Sequence, residues 1–241
     1  MWTALMWGGI SASAVVIGAL AALFMKIPKR VIGWIMAFGT GTLIGAATFE
    51  LLGDALNDGG MLPTAVGFTA GAVVYTLFDW LISAKGGSDR KRSSKKDSSQ
   101  QSGLGIFAGT VMDAIPESIM LGASLLAGKG VSVVLVVSIF VSNIPEGLSS
   151  TAGLKNSKYS KGKILLMWLG VLLISALAAM GGYLFLEQLP KEIGAAIGAF
   201  AGGGIIAMLC STMMPEAFEE GGPVVGLIAS MGLLVSLLLD I

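Results

Sequence analysis

The chain has 241 residues, 54% of them hydrophobic and only 12% charged, with zero net charge. Soluble domains carry about twice that charged fraction, which argues against a water-soluble globule, and the balanced charge offers no basic surface for nucleic acid. The one cysteine, Cys210, excludes an internal disulfide, and histidine is absent altogether.

A membrane-spanning helix needs roughly 20 apolar residues. Taken in chain order, eight segments meet that need: 4–25, 31–53, 62–84, 104–128, 131–154, 163–186, 192–214 and 222–240. The expected fold is therefore an all-α integral membrane domain covering residues 1–241. No basic residue precedes the first segment and no cleavage site follows it, so it is expected to span rather than to be removed.

Basic residues test this count. All but Lys129 and Lys191 fall between segments 1 and 2, 3 and 4, or 5 and 6. With eight spans these three connections share one side, which the positive-inside rule makes cytoplasmic. Both termini are then extracytoplasmic, in a multi-pass protein of the plasma (inner) membrane. The 7–8 connection, also cytoplasmic, is expected to carry Glu216, Glu219 and Glu220. Residues 85–103 are rich in Ser, Lys and Gly and read as a flexible basic loop, a topology determinant that could also touch anionic lipid.

Carboxylates inside apolar segments are costly and usually functional. Segment 4 holds Asp113-Ala-Ile-Pro116-Glu117-Ser118, and segment 5 holds Ser142-Asn143-Ile-Pro145-Glu146-Gly147. The two copies share a polar residue, a proline three positions on, then Glu. Proline lacks an N–H and clashes with the carbonyl four residues earlier. Each helix is expected to break or kink there, releasing the carbonyls of Met112 and Val141. Asp113 and Glu117 share one helix face at i, i+4, as do Ser142 and Glu146. A short connection near Lys129 makes the two helices antiparallel. Facing each other, they present three carboxylates, an amide and a hydroxyl, an oxygen-rich set suited to a divalent cation. Protons could titrate the same groups when no cation is bound.

Other polar positions leave two readings open. Ser211, Thr212, Glu216, Glu219 and Glu220 could form an exit or holding site, or a solvated helix end. Glu50 and Asp54, at i, i+4 on segment 2, could line an entrance or sit as interfacial carboxylates. Asp79 near the end of segment 3 is expected to snorkel or to pair with Lys85.

The two Pro-Glu motifs resemble helices 4 and 5 of the ZIP family of divalent metal transporters, in a bacterial-type, histidine-free form. The Gly-rich segment 2 before Glu50 and the Met-Pro-Glu-Ala ending of segment 7 are also similar. The resemblance implies helices 1–3 and 6–8 as inverted repeats around helices 4 and 5, a homodimer, and uptake of Zn, Mn or Fe toward the cytoplasm. It places Glu117 and Glu146 where family members bridge two metals. Asp113 stands where histidine is common, Ala114 where asparagine is common, and segment 6 lacks the carboxylate that some members add. One oxygen-ligated site of Asp113, Glu117, Ser142, Asn143 and Glu146 is complete on this reading, and a second lacks ligands. Oxygen donors alone suit Mn or Mg better than Zn. No cofactor is expected, the metal being substrate. A proton-coupled carrier of an organic solute and an intramembrane enzyme are the rival readings. The absence of histidine argues against the enzyme.

Overall fold

The computed structural model describes residues 1–82, 100–125, 131–187 and 189–240. Among these, regular structure is entirely helical, without strands. In chain order the helices are α1 (Trp2–Phe24), α2 (Lys29–Gly59), α3 (Met61–Ile82), α4 (Gln100–Ser124), α5 (Val133–Asn156), α6 (Lys161–Leu186), α7 (Lys191–Gly221) and α8 (Val225–Asp240). Six of them, α1, α2, α3, α5, α6 and α7, are long and apolar enough to cross a membrane, while α8 is apolar but shorter. Leu166, Leu169, Leu173 and Leu177 form an exposed stripe along α6, a face that suits lipid and would be unfavourable in water.

Two helices differ from their expected lengths. α2 and α7 each pass through a π turn, at Ala47–Leu52 and Leu209–Met213, and then resume as α-helix. A π turn widens the helix without ending it. Both run on to glycines with positive φ, Gly60 at 74° and Gly222 at 76°, a conformation that glycine adopts without steric penalty. Glu216, Glu219 and Glu220 consequently lie on α7 itself, not in the connection after it. The prolines of α4 and α5 do not interrupt their helices. α4 and α5 run through Pro116 and Pro145 as continuous α-helix rather than breaking. α4 begins at Gln100, inside the stretch expected as a loop. Residues 85–99, Lys85 among them, and Lys129 lie outside the described residues.

Two apolar cores organise the bundle. One gathers Val15, Ala19, Leu154, Trp168 and Val171 from α1, α5 and α6. The other joins α2, α5 and α7 through Met36, Leu43, Leu148, Met208 and Leu209. α5 contributes to both, because glycine lets its neighbours approach to backbone contact. A Cβ on Gly18 of α1 would fall 2.2 Å from the Ile144 carbonyl oxygen, and one on Gly147 2.2 Å from that of Val15. On the other side, a Cβ on Gly39 of α2 would fall 2.8 Å from Ser142 Cα.

Polar contacts gather helix ends. The Lys155 ammonium donates to the Ala22 carbonyl at 3.1 Å, and Trp34 Nε1 to that of Gly221 at 3.1 Å. The 1–2, 5–6 and 7–8 connections therefore share one end of the bundle.

Gly18→Ala should destabilise the protein by about 2 kcal/mol through overpacking against a backbone oxygen. Gly170→Ala, with nothing within 4 Å of its added methyl, should be neutral or stabilising by roughly 0.5 kcal/mol. Melting of both variants in detergent checks the contrast.

Candidate functional site

On α4, Asp113 and Glu117 lie one turn apart and are 1% and 2% exposed. The Tyr75 hydroxyl of α3 donates to Asp113 Oδ1 at 3.2 Å. Tyr75 is itself buried. Nothing in the sequence singled it out, since one tyrosine in an apolar helix is an ordinary core residue. Thr110 Oγ1 and Ser150 Oγ meet at 3.3 Å where α4 and α5 cross.

On α5, Ser142, Asn143 and Glu146 are all buried. Their surroundings differ. Ser142 backs onto Gly39 of α2, and its hydroxyl donates to the Ile139 carbonyl at 3.0 Å. Asn143 Nδ2 donates across to the Ser11 carbonyl of α1 at 3.3 Å. The polar run continues through buried Ser149, Ser150 and Thr151. Thr151 Oγ1 accepts from Trp168 Nε1 at 2.8 Å.

The three acidic residues near the end of α7 separate. Glu216 is buried and its Oε1 accepts from the Ser149 hydroxyl of α5, so it is not part of a solvated helix end. Glu219 is exposed. Glu220 faces α2 and lies 3.9 Å from Lys29 Nζ. Ser211 and Thr212 donate back to the Ala207 and Met208 carbonyls of their own helix, each at 2.7 Å. Glu50 sits in the π turn of α2 and Asp54 just beyond it, both partly exposed. A 380 Å³ cavity between α2 and α7 is lined by Thr40, Ile44, Leu209, Cys210, Met214, Pro215 and Phe218 and by none of these carboxylates.

Among the described residues, no three Asp, Glu or Cys side chains converge on one point. Asp113, Glu117 and Glu146 are arranged along the α4–α5 pair instead. A buried carboxylate is unfavourable by several kcal/mol unless a hydrogen bond, a proton or a cation compensates it. Three such groups lie on the two adjoining helices α4 and α5.

The comparisons with known proteins bear on this chemistry. No family model matches the chain. The chain is 25% identical over 214 residues to an Arabidopsis thaliana protein named "Putative zinc transporter", an alignment that covers 88% of this chain and 34% of that protein. The chain thus spans about a third of the length of the curated relative it matches.

Glu216→Ala should destabilise the protein by about 2 kcal/mol, because it removes a buried hydrogen bond to a carboxylate. Glu219→Ala should lie within about 0.5 kcal/mol of the parent. Thermal melting in detergent separates the two.

Proposed function

We propose that this protein carries a divalent cation, Zn, Mn or Fe, across the plasma membrane toward the cytoplasm, through oxygen ligands on α4 and α5. Burial of Asp113, Glu117 and Glu146 in an apolar bundle is the observation that carries the reading. Such groups are retained where they bind something charged. Ser142 and Asn143 supply neutral oxygens beside them, and the likeness to a protein named as a zinc transporter points the same way. Glu50 and Asp54 are suited to the entrance and Glu216 to the exit. The ligand set is all oxygen, which favours Mn over Zn.

The transport architecture in this proposal has eight spans, α4 and α8 included, with helices 1–3 and 6–8 as inverted repeats of the ZIP type. α2 and α7 support it. Each starts after a proline, Pro28 or Pro190, is 31 residues long, contains a π turn, and stops at a left-handed glycine. Both termini lie outside, and a homodimer embedded in lipid is the working unit.

Uptake of Mn2+ and Zn2+ into proteoliposomes tests the reading. Glu117→Ala and Glu146→Ala should fall to the rate of protein-free liposomes while melting as folded proteins. Uptake by the double variant at the parental rate would remove α4 and α5 from the mechanism. Asp113→His should shift preference toward Zn2+, since imidazole suits zinc better than carboxylate does. An unchanged Zn/Mn ratio would remove Asp113 from the ligand set.

A further inference from the structure

Polar side chains in an apolar helix usually satisfy themselves on their own backbone. In this bundle Thr40, Thr64, Thr76, Ser211, Thr212 and Ser230 all donate to the carbonyl four residues earlier. Ser13 of α1 donates to the Ile10 carbonyl at 2.6 Å. Ser11, two residues away, does not follow. It is 2% exposed and its hydroxyl has no hydrogen-bond partner among the described residues.

Its carbonyl, by contrast, accepts from Asn143 Nδ2 at 3.3 Å. A carbonyl only accepts, so the amide nitrogen must be the atom turned toward α1. The amide oxygen is thereby turned away from it. Asn143 Oδ1 is also buried without a hydrogen-bond partner among the described residues. Two residues in direct contact thus each hold a buried oxygen with unused lone pairs. Each such oxygen is unfavourable, and native interiors hold few of them. The hydroxyls of Ser175 and Ser236 are in the same state, but no hydrogen bond joins either residue to α4 or α5.

Helix packing explains the meeting. Ser11 contacts Asn143, Val15 meets Gly147, and Gly18 lies against Ile144 and Leu148. The contacts advance together along both helices, so α1 and α5 run parallel at backbone distance. Ser11, Val15 and Gly18 recur on one helical face. That face places Ser11 one turn from the level of Glu146.

We propose that Ser11 of α1 belongs to the cation site: its hydroxyl is a ligand, and its carbonyl sets the Asn143 amide with the oxygen toward the ion. The inference rests on the cation-transport reading above. Hard divalent ions take six or more oxygens, neutral ones included. The Ser11 hydroxyl and the Asn143 amide add two without adding like charge beside the carboxylates. α1 becomes the third helix of the site.

The test uses the full chain with Cys210→Ser as parent, which removes its exposed thiol. Ser11→Cys replaces the hydroxyl by a thiol that favours Cd2+ over Mn2+. In proteoliposomes the ratio of apparent KM values for Mn2+ and Cd2+ should shift roughly tenfold toward Cd2+. Ser11→Ala should raise both KM values roughly tenfold with the maximal rate retained. In detergent, Cd2+ added to Ser11→Cys should produce thiolate-to-cadmium charge-transfer absorbance that the parent lacks. Parental KM values in both variants, or no such absorbance in a Ser11→Cys protein that melts like the parent, would overturn the assignment. A parent that moves neither ion would instead overturn the transport reading on which the assignment rests.

Discussion

Backbone contact around α5 is the constraint from which the interior follows. Lipid gives apolar helices little reason to associate, so close packing and polar contacts must hold them. Gly18 and Gly147 bring α1 against α5, and Gly39 brings α2 against its other side. No larger residue fits at these points without moving a backbone. The contacts also fix rotation. They turn Ser142 toward α2 and Asn143 toward α1, and they make α5 a member of both apolar cores.

Around that fixed helix, the ionisable groups are held from a distance in sequence. Asp113 on α4 takes a hydrogen bond from Tyr75 on α3. Glu216 on α7 takes one from Ser149 on α5. These hydroxyls stabilise carboxylates that would otherwise be strongly disfavoured in an apolar interior.

The two Pro-Glu motifs were legible in the sequence because charge inside an apolar run stands out without any structure. Their effect on the backbone was not. α4 and α5 continue through Pro116 and Pro145, whereas the departures from α-helix fall at the π turn of α2, which has no proline near it, and at that of α7, which ends two residues before Pro215. A π turn depends on one extra residue being accommodated by neighbours, and local composition does not record that. The lengths of α2 and α7 were underestimated for the same reason. Their final turns, with Asp54 and Glu216, are polar and read as the edge of the membrane.

Hydropathy and charge placement are properties of the chain read locally, so the sequence by itself determined the all-helical membrane class and singled out Asp113, Glu117 and Glu146. Burial and partnership depend on which helices touch, and only the tertiary structure decided them. It set Glu216 inside while leaving Glu219 outside, though only two residues separate them. It brought Tyr75 to Asp113 and Ser11 to Asn143. An uncharged hydroxyl in an apolar helix carries no signal until its neighbour is known, because the same side chain can bond to its own backbone or reach across to another helix.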